Sequence, residues 1–230
     1  MKRSTAVVLV AKAPAAGEVK TRFCPPLTPG EAAAYACAFL KDSAEAITDS
    51  RFASTTDSWC AHRGDPQLMR ALLKPKIGML VQRGKSLGDV LANAADDFFS
   101  MGYNKVVLIA ADCPTVDAGY LESTLESLNT HDVVLGPAHD GGYVLIGLNR
   151  PDASLFEGIE MSTDRVLSET VARADIAGST VKLLPTLHDL DTIGQLMSAV
   201  EAGQLDHARA TLSLLRQTDG QLAGSGGCIP

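Results

Sequence analysis

The sequence predicts an α/β fold built on a mixed, mostly parallel sheet, and three observations predict it. Short β-branched runs alternate with helical stretches almost from end to end, the pattern of repeated strand–helix units. The 230 residues are 46% hydrophobic and 20% charged, enough apolar material for one sizeable core. Two of the runs, Asp132–Gly136 and Tyr143–Leu148, are joined only by Pro137–Gly142. A parallel crossover needs about a dozen residues, so one of that pair runs antiparallel.

Ala6–Ala11 (AVVLVA) is apolar throughout and valine-rich, as a strand buried on both faces must be. Thr28-Pro-Gly-Glu31 opens a helix, with threonine as cap, proline at the first position and Glu31 completing a capping box. The helix itself is expected over Glu31–Ile47. A strand is placed near Phe52–Thr56. Further strands are expected at Ile77–Gln82, Val106–Ala111 and Thr180–Leu184, and helices at Leu87–Ser100, Ala118–Leu128, Thr163–Ala174 and Thr192–Ala202. Residues 1–216 read as a single domain. The Gly-, Ser- and Gln-rich segment Gln217–Pro230 reads as a flexible tail.

Composition excludes several functions. A net charge of −7 argues against a broad basic face, so no nucleic-acid partner is expected. The longest unbroken apolar run, Ala32–Leu40, is far short of the ~20 residues a membrane span needs. The basic start is followed by an apolar stretch broken by Lys12 and Pro14, unlike a signal peptide. Five cysteines, without a C-x-x-C pair, fit a reducing cytoplasm better than a disulfide scaffold or a zinc site.

In open α/β sheets ligands collect beyond the carboxyl ends of the strands. Four sets of polar residues fall there. The loop after the first strand, Lys12 to Arg22, brings Lys12, Gly17, Lys20, Thr21 and Arg22 together, which suits phosphate oxygens. It is not a Walker A loop, because Val19 stands where Gly must precede the lysine. Asp112 follows an apolar strand and suits Mg²⁺, which takes few protein oxygens; its alternative reading is a turn residue before Pro114. Asp189 and Asp191 are two apart, so on an extended segment both face one ion; alternatively Asp191 caps the next helix.

Asp140-Gly141-Gly142-Tyr143 fits either close ligand approach or a hairpin turn. Ser162, Thr163 and Arg165 open a helix, with Ser162 as its simplest N-cap and Arg165 able to meet an acidic substrate. Gly88 and Asn93 lie on the helix after Gly84-Lys85-Ser86, where Asn93 reads either as a base or ribose contact or as a solvated side chain. Cys113 reads as a small buried thiol, since no histidine partner is evident from spacing. The five histidines have no metal-ligand spacing, and only His139 and His188 adjoin acidic motifs.

Ala11-Lys12-Ala13-Pro14, Val19-Lys20-Thr21-Arg22, Asp112-Cys113-Pro114, Asp140-Gly-Gly-Tyr143, Ser162-Thr163 and Asp189-Leu190-Asp191-Thr192 together resemble a family of glycosyltransferase-A-like transferases. The family is long catalogued as a domain of unknown function, and some members are labelled arsenosugar biosynthesis glycosyltransferases. It is similar to phospholactate guanylyltransferases and, more distantly, to molybdopterin-cofactor nucleotidyltransferases. The resemblance covers roughly residues 5–202. It implies a GT-A (nucleotide-diphospho-sugar transferase) three-layer sandwich with Mg²⁺ or Mn²⁺ and a nucleotide at the sheet rim. It further implies that Lys12, Lys20 and Arg22 hold phosphates, that Asp112 and Asp191 bind metal, and that Asp140, Gly141 and Gly142 shape the acceptor side. The segment around Arg51–Ala71 matches poorly.

Three cations in one loop favour a triphosphate over a diphosphate. The expected activity is therefore metal-dependent nucleotidyl transfer from an NTP to a small phosphorylated or acidic acceptor, with pyrophosphate released and Lys20, Asp112 and Asp140 at the chemistry. Glycosyl transfer from a nucleotide-diphosphate sugar is the second reading, with Asp140 or His139 as base. A non-catalytic nucleotide-binding protein is the third.

Overall fold

A computed structural model of the chain describes residues 4–52 and 54–224. Its strands are β1 (Thr5–Lys12), β2 (Thr56–Arg63), β3 (Gly78–Val81), β4 (Lys105–Ala110), β5 (Val133–Pro137), β6 (Tyr143–Leu148) and β7 (Val181–Leu183). They form one sheet in the order β3-β2-β1-β4-β6-β5-β7. Strands β3, β2, β1 and β4 pair in parallel, as do β5 and β7. β6 is antiparallel to both neighbours, β4 and β5, so the short connection has the consequence expected of it.

Helices cover both faces because β1 alternates its side chains. Val7 and Leu9 face one core with α1 (Pro29–Ile47), α2 (Pro66–Leu72) and α4 (Ala118–Ser127). Ala6 and Val8 face the other, with α3 (Leu87–Ser100) and α5 (Val166–Ile176). This is the three-layer α/β sandwich. A third apolar cluster lies outside α1, where Phe23, Tyr35 and Phe39 meet α6 (Ile193–Glu201) and α7 (Arg209–Gly224). The capping box forms as read: the Thr28 hydroxyl accepts from Glu31 N, and the Glu31 carboxylate accepts from Thr28 N.

Three expectations need correction. The strand placed near Phe52–Thr56 begins only at Thr56, because Phe52 closes a 3₁₀ turn and is buried. Residues 217–224, read as the start of a flexible tail, are the end of α7; residues 225–230 lie outside the described residues. The α7 helix is tied to α1, since the Asp42 carboxylate accepts from Ala210 N at 2.9 Å and from Thr211 N at 2.8 Å. Lastly, α5 starts at Val166 behind an Arg165 N-cap that makes no side-chain bond. Ser162, with φ 72°, is not its cap. Among the described residues no helix is long and apolar enough to cross a membrane.

Candidate active site

The chain leaves β1 with β2 on one side and β4 on the other, so the sheet splits its crossovers beyond the carboxyl end of β1. Such a switch point opens a crevice. A cavity of about 600 Å³ lies there, a volume suited to a small-molecule ligand.

The loop after β1 is pinned at its far end by Phe23, which is fully buried against Tyr35 and Phe39 with ring centroids at 5.6 and 6.1 Å. Pinning forces the preceding residues to turn tightly. Lys20 takes up the turn in the left-handed region (φ 45°, ψ 39°), costly for a side chain with a Cβ. Its side chain is thereby aimed inward and is only 4% exposed. Its ammonium donates to Asp112 Oδ2 at 2.7 Å and to Asp191 Oδ1 at 3.1 Å. Arg22 stands 3.5 Å from the other Asp191 oxygen, and Lys12 pairs with Glu18 at 3.0 Å.

Asp112 is delivered by β4. Ala111 N bonds Val10 O of the neighbouring strand, and the Ser43 hydroxyl of α1 donates to Ala111 O, fixing the turn from which the carboxylate emerges. Burial pushes the Asp112 carboxyl up, but the charge and hydrogen bond of Lys20 outweigh it and hold the group below the usual carboxylate range. Burial likewise works against the Lys20 ammonium, and the Asp112 and Asp191 charges, with the Asp112 hydrogen bond, more than compensate, leaving its affinity for the proton raised. Both partners are thus held ionised. Cys113 is the opposite case: burial first, then the Asp112 charge, drive its thiol well up, so it is no thiolate nucleophile.

Asp189 and Asp191 flank Leu190, which is fully buried in the third cluster. The cap of α6 is Thr192, which accepts from Gln195 N, so capping does not occupy Asp191. Asp189 is buried and accepts from Gln195 Nε2 at 2.9 Å. Burial, with repulsion from Asp140 and Asp191, raises its affinity for a proton. Asp140, an exposed residue, accepts from Gly142 N at 2.8 Å through Oδ1. Burial pushes the Tyr143 phenol up to about 12, so it stays protonated near neutrality.

The structure therefore brings Lys12, Lys20, Thr21, Arg22, Asp112, Asp140, Gly142, Tyr143, Ser162, Thr163, Asp189 and Asp191 to one cavity wall. It does not bring Gly17, Gly88, Asn93, Gly141 or Arg165 there. Asn93 donates instead to the Arg83 carbonyl at 3.1 Å, and Gly88 lets α3 pack against Phe156 and Met161. Gly141 abuts Asp164, and Arg165 turns outward to Glu160 and Glu169. Two polar lining residues were not singled out from the sequence. Glu18 neutralises Lys12, and Gln82 donates to Ala11 O and Ala61 O, both at 2.9 Å, tying together the ends of β1 and β2. A charged residue four positions before an arginine is a weak signal; Gln82, next to a strand end, was the more legible of the two.

Three cations and five carboxylates line the cavity. A polyphosphate entering it needs more positive charge than the chain provides. Among the described residues no cluster of three or more His, Cys, Asp or Glu is poised to cage a metal. The half-exposed pair Asp112 and Asp191 instead suits Mg²⁺ or Mn²⁺, which accept one or two carboxylates and complete their shell with phosphates and water.

This fold is that of nucleotide-diphospho-sugar transferase structures. The chain resembles a Desulfovibrio desulfuricans G20 protein whose crystal structure is described as that of a "putative nucleotide-diphospho-sugar transferase", with TM-score 0.88, 27% identity, and coverage of 97% of this chain and 98% of that one. The fold is also that of a cytidylyltransferase from Leptospira borgpetersenii (TM-score 0.54, 13% identity, 100% and 99% covered). It is shared again by Rv0371c of Mycobacterium tuberculosis in complex with manganese (TM-score 0.51, 15% identity, 87% and 100% covered). Residues 50–163 match the family model described as "Uncharacterized protein conserved in bacteria (DUF2064)", in keeping with the motif resemblance. No curated protein matches the sequence.

Proposed function

We propose that the chain is a metal-dependent nucleotidyltransferase that joins the NMP of a nucleoside triphosphate to a small phosphorylated or acidic acceptor and releases pyrophosphate. One observation carries the reading: a buried lysine, from the cation-bearing loop after β1, meets two half-exposed carboxylates from distant parts of the chain. In this reading Asp112 and Asp191 hold the metal, with Asp189 behind them. Lys12, Lys20, Thr21 and Arg22 hold the phosphates, on a loop turned at Gly17. When bound, the metal supplies charge neutralisation at the phosphoryl group and its leaving pyrophosphate. Lys20 and Arg22 add positive charge to the departing oxygens. Asp140, through the oxygen not bonded to Gly142, orients the acceptor on a wall made by Gly142, Tyr143, Ser162 and Thr163, with Gly141 setting its shape. Positioning and charge then supply most of the rate, without a covalent enzyme intermediate. The manganese bound by the mycobacterial protein of this fold supports the metal assignment.

One observation favours the second reading, glycosyl transfer from a nucleotide-diphosphate sugar. The loop's cations are already engaged, Lys12 by Glu18, Lys20 by two aspartates and Arg22 by Asp191, which suits a smaller phosphate charge. The purified protein is to be assayed with Mg²⁺, each NTP and a panel of phosphorylated acceptors. Pyrophosphate release that disappears in Asp112→Asn is the expected result. Consumption of a sugar nucleotide, with nucleoside diphosphate but no pyrophosphate formed, establishes the second reading instead. Nucleotide binding without turnover contradicts both.

A further inference from the structure

The cations at the rim are not equivalent. Arg22 and Lys12 have side chains 68% and 46% exposed, whereas Lys20 is 4% exposed and has two carboxylate partners. We propose that Lys20 is the resident counter-ion of the Asp112–Asp191 pair, and that a divalent metal reaches those carboxylates only by displacing its ammonium. The inference rests on the metal-and-nucleotide reading above and adds an order of events to it.

Geometry sets up the competition. An Nζ at 2.7 Å from one carboxylate and 3.1 Å from the other stands where a cation shared by both would stand. Two carboxylates with one ammonium carry a single net negative charge, so their pull on a dication is about half that of the bare pair. A dication and an ammonium held by the same oxygens also repel each other. The Lys20 charge has reason to leave once a stronger cation arrives. Its backbone sits in the strained left-handed region, and its ammonium lies over the Phe39 ring, 5.7 Å from the centre, as well as between the two carboxylates. The displaced ammonium emerges on the cavity side, beside Thr21 and Arg22, where phosphates are expected. The protein alone then binds metal weakly, and metal enters effectively only with the nucleotide that receives Lys20.

The test is Mn²⁺ binding without nucleotide, with free Mn²⁺ read by electron paramagnetic resonance. Lys20→Met should bind Mn²⁺ about tenfold or more tightly than wild type, because the competing charge is gone. Equal or weaker binding by Lys20→Met overturns the proposal. If pyrophosphate is nonetheless released in the assay above, the nucleotidyltransferase reading survives it. Absence of Mn²⁺ binding by both proteins overturns the proposal together with the metal assignment. A second measurement needs no variant. Acylation of Lys20 in the wild-type protein, read by peptide mass spectrometry, should be slow without metal and faster at saturating Mn²⁺; an unchanged rate also overturns the proposal.

Discussion

Replacing Gly141 by alanine tests how the acceptor wall is built. Gly141 has φ +87°, and a Cβ there would stand 2.7 Å from both Cα and the carbonyl carbon of Asp164. Its own carbonyl accepts from Leu167 N at 2.9 Å, so the Asp140–Tyr143 turn is locked to the first residues of α5. The left-handed backbone alone costs an alanine about 1–2 kcal/mol. The clash is with backbone, which cannot rotate aside, and forcing it apart adds a further ~1–3 kcal/mol. The total of about 3 kcal/mol corresponds to a Tm lowered by roughly 6–12 °C in a domain of this size. Gly17→Ala is the internal control. Its φ is +79°, but nothing lies within 4 Å of an added Cβ. It should therefore lose only the backbone cost, about 1–2 kcal/mol, or roughly 2–8 °C. Thermal unfolding followed by circular dichroism measures both. A Gly141→Ala protein melting within about 2 °C of Gly17→Ala would refute the close approach to Asp164.

Lys20→Ala should weaken binding of nucleoside triphosphates more than of diphosphates in equilibrium titration, and equal losses would undercut the preference for nucleotidyl transfer. Asp42→Ala strips the α7 amides of Ala210 and Thr211 of their acceptor, and should cost about 2–3 kcal/mol in urea unfolding; a loss under ~0.5 kcal/mol would show that α7 does not depend on this cap. Asp132 accepts from the Thr180 backbone and hydroxyl and from Asn149, which hold its carboxyl below the usual range. A folded-state value below the unfolded one, ~3.9, gives stabilisation that is complete above that pH and lost as pH falls through the folded value. The stability gap between wild type and Asp132→Asn should accordingly be full at neutral pH and close in strong acid. A gap that widens on acidification would reverse the assignment.

Local chemistry made much of this legible. The bounds of α3 follow from the Ser86 capping box and an apolar stripe, and Asp112 is marked by its emergence from the apolar run Val106–Ala111. What escaped depends on tertiary contacts. β2 contains Asp57, Ser58 and His62, polar residues that break the apolar run by which a buried strand is recognised. The structure tolerates them because Ser58 bonds Ile47 O, Tyr103 bonds Asp57, and β2 lies between β1 and β3. The polar composition of 217–224 hides the end of α7, a helix whose anchor, Asp42, lies 168 residues before Ala210. At the rim, the residue types were readable but their pairing was not. Lys12, Lys20 and Arg22 look like free charge in the sequence, and only the fold shows that carboxylates from Glu18 to Asp191 already share them.

The most direct test of the central claim is anomalous diffraction from crystals grown with Mn²⁺ and a nucleoside triphosphate. The account predicts an anomalous peak within coordination distance of both Asp112 and Asp191, with phosphate oxygens on its open side and Lys20 against them. Manganese bound away from these two carboxylates, or a nucleotide lodged outside this cavity, would contradict it.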